Sequence, residues 1–162
     1  MVVYDNNVKL PAINLDREEI EMKICGVELS GNDAVICLLH LEHQNFTLPD
    51  CRVRKLSLPK THTREDLLLF QKAFEKLMND YGVEKVAIKE RALKGKFAGG
   101  AIGFKLEAAI QLIKNIDVVL LSQRDIKTEL SEKRLPVNFA DTGLKVFQEA
   151  AFTVAYVAHI QS

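Results

Sequence analysis

The sequence lacks the long apolar run that a membrane span requires. About 20 consecutive apolar residues are needed to cross the hydrocarbon core of a bilayer, and no stretch of the 162 residues approaches that length. The first residues also lack a basic region followed by an apolar run, which is the pattern of a secretory signal. We therefore expect a cytoplasmic protein that does not contact membranes.

Cysteine is scarce and poorly spaced for metal binding. Cys25, Cys37 and Cys51 form an odd set without a C-x-x-C pair, so we expect neither a disulfide framework nor a cysteine zinc site. Cys25 and Cys37 lie within apolar runs, where a thiol behaves as a small hydrophobic side chain. The prediction is a protein with reduced cysteines, as is usual in the cytoplasm.

An excess of positive charge is also absent, because 22 Lys and Arg residues are balanced by 22 Asp and Glu residues. Proteins that bind DNA without sequence preference are usually basic, since neutralising phosphates supplies most of their affinity. The balance disfavours a dedicated nonspecific DNA-binding protein but permits a local basic patch. Hydrophobic residues at 48% and charged residues at 27% indicate one globular domain with a substantial core.

The pattern of apolar residues and turn signals predicts a mixed α/β domain. Residues 1–21 show no sustained periodicity, so we expect a flexible N-terminal extension before a domain of residues 22–162. Strands are predicted at 23–29, 34–40, 51–58, 83–89 and 117–121. Helices are predicted at 61–81, 101–114, 123–133 and 142–160. An antiparallel start and an alternating finish indicate a five-stranded mixed sheet, its first three strands antiparallel, with helices on both faces.

Two local patterns refine this outline. Thr63 and Asp66 have the spacing of a helix-capping pair, and Gly82 marks the end of the same helix. In the first predicted strand, alternation places Gly26 and Glu28 on one face of the sheet. Because that strand is otherwise apolar, a carboxylate there is expensive to bury unless it is paired or binds metal.

Three segments, taken in order, resemble the RuvC-type branch of the ribonuclease-H-like superfamily. The first is ICGVELSGNDAVICLL, in which a strand carries a Gly-x-acid motif before a turn and a second strand. The second is VAIKERALKGKFAGGAIGFKLEAAIQLI, a strand ending in an acid, a loop, and a helix that opens with small residues. The third is DVVLLSQRDIKTEL with the closing FQEAAFTVAYVAH. The resemblance extends from Met22 to His159. The chain also resembles a small family of uncharacterised bacterial proteins.

The resemblance implies cleavage of phosphodiester bonds with the help of divalent metal. In that chemistry two Mg²⁺ ions, held by converging carboxylates, activate a water and stabilise the leaving oxygen. Glu28 corresponds to the acid of the first strand, although the family normally has Asp there. Glu90 corresponds to the acid at the end of the fourth strand. The resemblance therefore implies that Glu28 and Glu90 bind Mg²⁺ or Mn²⁺.

The closing helix departs from the family pattern. The family has two acids about one turn apart on this helix, and alignment on His159 places Gln148 and Ala151 at those positions. Glu149 and Asp141 are the candidates that would complete the catalytic set. A shift of one residue along a helix rotates a side chain by about 100°, so Glu149 is a displaced substitute.

A basic loop follows the fourth predicted strand. The cations Lys89, Arg91, Lys94 and Lys96 occur together with Gly95, Gly99 and Gly100, and such a loop permits close approach to a phosphate backbone. The alternative is a solvated loop. Lys89 and Lys96 are also the candidates for a salt bridge with Glu28, which would explain that carboxylate without a metal.

Two functions stay open. One is a metal-dependent nuclease acting on structured or single-stranded DNA or RNA. The other is a catalytically degenerate member of the fold that binds nucleic acid or a protein partner without cleaving. Gln148 and Ala151 favour the second function, whereas Glu28 in an apolar strand favours the first. The apolar stripe of the closing helix fits either the core or the interface of a homodimer.

Overall fold

The computed structural model describes residues 8–12, 21–94 and 100–161. Within these ranges the chain forms seven strands, four α-helices and two 3₁₀ turns. The strands are β1 (Val8–Lys9), β2 (Met22–Ser30), β3 (Asp33–Glu42), β4 (Asn45–Leu48), β5 (Lys55–Ser57), β6 (Lys85–Lys89) and β7 (Asp117–Leu121). The helices are α1 (Arg64–Tyr81), α2 (Ala101–Gln111), α3 (Gln123–Glu132) and α4 (Glu149–Gln161). The 3₁₀ turns are Phe139–Asp141 and Val146–Gln148.

The strands form one mixed sheet in the order β1-β4-β3-β2-β6-β7, and β5 pairs with β3. The pairs β1–β4, β4–β3 and β3–β2 are antiparallel, whereas β2, β6 and β7 run parallel to one another. The parallel strands therefore bring their carboxyl ends to the same edge of the sheet. Helices α1 and α2 pack on one face, and α3 and α4 pack on the other. The predicted mixed α/β fold with helices on both faces is confirmed.

The alternation of β2 divides its side chains between two hydrophobic cores. Cys25 and Val27 pack toward α1 and α2, whereas Ile24 packs toward α3 and α4. Gly26 lies on the same face as Ile24, the face covered by α3 and α4. A Cβ atom on Gly26 would lie 1.9 Å from the carbonyl oxygen of Ala151. Helix α4 therefore rests directly on the backbone of β2, and only glycine permits this approach.

The strand count is seven where five were predicted. Strand β4 was missed because the β3–β4 turn consists of His43 and Gln44, which both have positive φ values, 49° and 63°. Two-residue hairpin turns require this conformation, but its usual sequence signal is Asn-Gly or Asp-Gly. The predicted strand 51–58 shortens to β5.

Part of the N-terminal segment joins the fold. Strand β1 pairs with β4, and Leu10 is 5% exposed in the core. The domain boundary at residue 22 and the flexibility of the preceding segment stay predictions, because residues 1–7 and 13–20 lie outside the described ranges.

The closing helix begins seven residues later than predicted, at Glu149 instead of Thr142. Gly143 has a φ of 77°, which interrupts a right-handed helix, and a 3₁₀ turn follows. Helix α1 begins at Arg64 and not at Thr61, but its predicted caps are confirmed: Thr63 and Asp66 form a reciprocal capping box, and Gly82 ends the helix in the left-handed conformation.

Candidate functional site

Two adjoining clefts open at the edge of the sheet where β2 and β6 end. Their volumes are about 420 Å³ and about 480 Å³. Both are lined by Glu28, Lys89, Gln123 and Lys127. The first cleft continues between α3, α4 and the 3₁₀ turn Val146–Gln148, and we call it the helix cleft. The second continues along the residues that follow β6, and we call it the strand-end cleft.

Glu28 is paired with a lysine. In the parallel β2–β6 pair Val27 lies beside Ile88, so the next residues along the two strands are Glu28 and Lys89. Lys89 Nζ lies 3.9 Å from Glu28 Oε2, and the two side chains are 35% and 29% exposed. The salt bridge considered as an alternative to metal binding is therefore present. A cation, not a second acid, adjoins Glu28 on the neighbouring strand.

The other predicted acids do not join Glu28 in a group of three metal-binding side chains within the described part of the chain. Glu90 is exposed just after β6, lines the strand-end cleft and donates its main-chain N–H to Leu121 O at 2.9 Å. Glu149 is exposed at the start of α4 and lines the helix cleft. Asp141 is exposed at the end of a 3₁₀ turn and lines neither cleft.

A different part of the sheet brings metal-binding side chains together. Among the described residues, Glu21, His40 and Glu42 form a group of three metal-binding side chains. Their ligand atoms all lie within 4.8 Å of one another. Glu21 precedes β2, and Glu28 lies near its other end. Seven residues of strand separate the two positions by about 23 Å.

Gln148, at one position where the resemblance calls for an acid, is bound into the fold. Its side chain is buried, its Nε2 donates to Ile36 O at 3.0 Å, and its Oε1 accepts from the main-chain N–H of Lys145 at 3.0 Å. A carboxylate could accept the second bond but could not donate the first. The amide therefore has a structural role that an acid cannot reproduce.

Ala151, at the other such position, is fully buried. Its carbonyl oxygen lies where α4 meets Gly26 most closely. Because helix and strand are almost in backbone contact here, a longer side chain directed at β2 would push α4 off the sheet. The two missing acids are thus replaced by residues that fit the close packing of α4.

The side chain of Arg91 points toward the protein interior. Its guanidinium donates to Leu29 O, its main-chain N–H donates to Glu107 Oε2 at 3.0 Å, and a Cβ atom on Gly103 would lie 3.0 Å from its Nε. Glu107 is 8% exposed and was missed, because it stands in an apolar helix pattern. Arg91 therefore joins β2 to α2, which competes with its predicted role in phosphate binding.

The remaining predicted cations differ in position. Lys89 lines both clefts, and Lys94 is exposed in the loop after β6. Lys96 lies outside the described residues. Lys127 was missed by the sequence analysis, although it lines both clefts together with Gln123, one helical turn earlier on α3.

Phe147 was also missed as a surface residue. The predicted helix placed it in an apolar stripe, but it lies in the 3₁₀ turn before α4 and is 47% exposed, beside Val146 at 84%. Lys55 Nζ lies 5.9 Å from the centre of its ring. An exposed aromatic ring beside a cation therefore forms one wall of the helix cleft.

His159, which the resemblance suggested as a marker of the closing helix, is a core residue. It is 1% exposed, its Nε2 lies 2.8 Å from Leu39 O, and its ring packs against Phe46 at 5.1 Å. It lines neither cleft. Its contacts account for its burial without a catalytic role.

Solved structures with the same fold are RuvC proteins. The Thermus thermophilus RuvC structure matches with a TM-score of 0.68 and 9% identity, covering 86% of this chain and 94% of that one. T. thermophilus RuvC in complex with a Holliday junction substrate matches with a TM-score of 0.58 and 10% identity, covering 86% and 93%. At these identities the similarity establishes a RuvC-like fold and nothing further.

Sequence comparison leads to a family without an assigned activity. The profile of the family described as "Protein of unknown function (DUF3010)" matches residues 22–158. No curated protein matches the chain. In the described part of the chain, no helix is long and apolar enough to cross a membrane.

Proposed function

Because the chain belongs to the DUF3010 family of proteins of unknown function, we propose from its own site that it binds nucleic acid through a RuvC-like fold without cleaving it. The observation that carries the absence of cleavage is the contact between Lys89 and Glu28. A two-metal centre needs carboxylates converging on the ions. Here a lysine stands beside the central carboxylate, and Gln148 and Ala151 are tied to the packing of α4.

The helix cleft has the chemistry of a surface for single-stranded nucleic acid. Such surfaces combine cations that follow the phosphate backbone with aromatic rings on which bases stack. Phe147 offers an exposed ring, Lys55 lies beside it, and Lys127 lines the same cleft from α3. Lys94 extends the positive charge beyond the end of β6.

The acidic side chains in the clefts limit the affinity for nucleic acid. Glu28, Glu90 and Glu149 repel phosphate from the same surface that the lysines attract, and the net charge of the whole chain is zero. We therefore expect binding in the range of nonspecific complexes, roughly 10⁻⁴ to 10⁻⁶ M. Base stacking on Phe147 would make unpaired strands better ligands than duplex.

Fluorescence anisotropy with labelled single-stranded DNA, single-stranded RNA and a four-way junction tests the proposal. Phe147→Ala is expected to weaken single-strand binding at least about fivefold, since one stacked base contributes about 1–3 kcal/mol. Lys127→Ala is expected to weaken binding and to reduce the slope of log K against log salt concentration by about 1, the loss of one phosphate contact. The matched controls are Leu69→Ala and Lys72→Ala, which change exposed residues of α1. Absence of binding, or equal losses in variants and controls, would contradict the proposal.

A metal-dependent nuclease is the second candidate, because three carboxylates line the adjoining clefts. In this hypothesis Glu28 and Glu90 bind Mg²⁺ or Mn²⁺, and Glu149 or Asp141 completes the set. As they stand, the side chains do not gather around one ion, since these acids form no group of three within 4.8 Å in the part of the chain that is described. Lys89 also occupies the space beside Glu28.

Cleavage assays with Mn²⁺ separate the two candidates. Junction and single-stranded DNA are incubated with the wild type and with a double variant, Glu28→Gln with Glu90→Gln. Cleavage that is lost in the double variant would establish the nuclease and overturn binding without cleavage. Binding without cleavage in both proteins is the result that we expect.

A further inference from the structure

The end of the β2–β3 hairpin far from the clefts carries a second group of polar side chains. Met22 pairs with Leu41 in the antiparallel register, so Glu21 and Glu42 come next and face each other across the two strands. His40 lies two residues before Glu42 and therefore projects from the same face of β3. Its Nε2 lies 3.1 Å from Glu21 Oε1.

We propose that Glu21, His40 and Glu42 form a binding site for a divalent transition metal, and that Zn²⁺ occupies it. One imidazole with two carboxylates is a ligand set that zinc accepts, whereas Mg²⁺ prefers oxygen ligands alone. This site lies at the opposite end of β2 from Glu28 and shares no residue with the two clefts. It is independent of the proposed nucleic-acid surface.

The distances suit a zinc ion with small side-chain movements. Zinc bonds of about 2.0–2.1 Å in tetrahedral geometry place neighbouring ligand atoms about 3.3 Å apart. The His40–Glu21 contact already has this spacing, and all three ligand atoms lie within 4.8 Å of one another. The side chains of Glu21 and Glu42 are 64% and 47% exposed, so both carboxylates have room to rotate toward a shared ion.

The charges at this end of the hairpin favour a cation. Like charges directly opposite each other on antiparallel strands are destabilising, and Glu21 faces Glu42. Lys23 pairs with His40 across the two strands, but its Nζ is engaged as a donor to Tyr81 O at 2.7 Å. The His40 side chain is 17% exposed and is held in place by its surroundings. A metal ion between the three groups would turn repulsion into attraction.

His43 lies outside this group of three but is the next nitrogen donor along the chain. Its Nε2 lies 3.6 Å from Glu42 Oε1, and it belongs to the turn that connects β3 to β4. Four-coordinate zinc with two imidazoles and two carboxylates would link β2, β3 and this turn. We therefore expect His43→Gln to weaken zinc binding less than His40→Gln, because His40 lies at the centre of the group.

Titration calorimetry of the full chain with ZnCl₂ tests the site, with the absorption spectrum of bound Co²⁺ as a report of coordination. We expect one zinc ion per chain, loss of measurable binding in His40→Gln, and binding at least about tenfold weaker in Glu42→Gln, since each removes a ligand of the ion. Glu42 is exposed, so its variant is expected to fold even if His40→Gln does not.

Two controls remove metal-binding groups elsewhere in the chain. His62→Gln changes a histidine that contacts Lys105, and Cys51→Ser removes a half-buried thiol. Both variants are expected to bind zinc as the wild type does. Absence of zinc binding in the wild type, unchanged binding in Glu42→Gln, or loss of binding in Cys51→Ser would overturn the proposal. None of these outcomes bears on the binding of nucleic acid at the clefts.

Discussion

Lys89 Nζ lies 3.9 Å from Glu28 Oε2, across two parallel strands whose carboxyl ends form the floor of both clefts. Each side chain is about one-third exposed, and such partly solvated ion pairs contribute at most about 1 kcal/mol to stability. The importance of the pair is therefore chemical. It neutralises the carboxylate that lines both clefts, and a metal ion bound there would have to displace the lysine.

The first prediction concerns Lys89→Glu, which replaces this pair with two adjacent carboxylates. Without metal, the free energy of unfolding is expected to fall by about 1 kcal/mol, because like charges on neighbouring strands repel. Millimolar Mn²⁺ is expected to restore the loss by binding between the two acids. Urea denaturation with and without Mn²⁺ measures both effects.

Lys89→Gln is the control, since it removes the cation without adding an acid. Its stability is expected to respond to Mn²⁺ no more than that of the wild type. If Lys89→Glu also fails to respond, the two positions do not converge on one ion. If the wild type already gains stability from Mn²⁺ and Glu28→Gln abolishes the gain, Lys89 does not block the site, and the nuclease hypothesis becomes the better one.

The second prediction concerns Gln148→Glu, which restores an acid where the resemblance calls for one. The carboxylate cannot donate to Ile36 O, and its charge would be buried beside that carbonyl. We expect a loss of about 1–3 kcal/mol in the free energy of unfolding, the cost of an unsatisfied buried polar group. Chemical denaturation measures it, with Gln111→Glu on the exposed end of α2 as a control that changes stability by less than about 0.5 kcal/mol. Wild-type stability in Gln148→Glu would mean that the fold does not exclude an acid here.

Those parts of the fold that depend on local signals could be predicted from the sequence. The strand Asp117–Leu121 has the predicted bounds because an apolar run between polar residues needs no distant information. The capping box of Thr63 and Asp66 is likewise a local pattern. The β3–β4 turn could not be predicted, since His43 and Gln44 adopt a conformation that their residue types do not favour.

The candidate sites depend on pairing between distant segments, which explains why they were only partly predicted. Alternation alone put Glu28 on the same face as Gly26, and the structure shows that α4 covers that face at Gly26. The register between β2 and β6 then decides that its neighbour is Lys89, and no local pattern encodes that register. In the same way Glu21 and His40 are 19 residues apart and meet only through the antiparallel pairing of β2 with β3.

The third prediction concerns Gly26→Ala. A Cβ atom at this position would lie 1.9 Å from Ala151 O and 2.8 Å from Ala155 N. Neither backbone atom can move unless α4 shifts away from β2, so the free energy of unfolding is expected to fall by about 3 kcal/mol or more. Thermal and urea denaturation measure the loss. Gly100→Ala is the control, because a Cβ atom there meets nothing within 4 Å and its backbone is extended. Similar stability of the two variants would contradict the close packing of α4 on β2.

The fourth prediction concerns stability in alkaline solution. Burial raises the pKa of the Cys37 thiol from its ordinary value of 9.0 to about 12. Between these values the folded protein keeps the proton and the unfolded chain loses it, so rising pH favours unfolding. The contribution of this thiol to stability is fully present below pH 9 and is lost as the pH rises toward 12, with a slope of up to about 1.4 kcal/mol per pH unit.

Cys37→Ala isolates this contribution, because other groups that titrate in the same range are common to both proteins. Urea denaturation gives the free energy of unfolding of each protein at pH values of about 8.5, 9.5 and 10.5. These values span about the first half of the pH window. The lost sulfur contacts lower the stability of Cys37→Ala by the same amount at every pH. The missing thiol makes its decline with pH shallower, so the two curves are expected to approach each other as the pH rises. Parallel curves would mean that the Cys37 thiol ionises as readily in the folded protein as in the unfolded chain, and would contradict its burial in the core that β3 shares with α4.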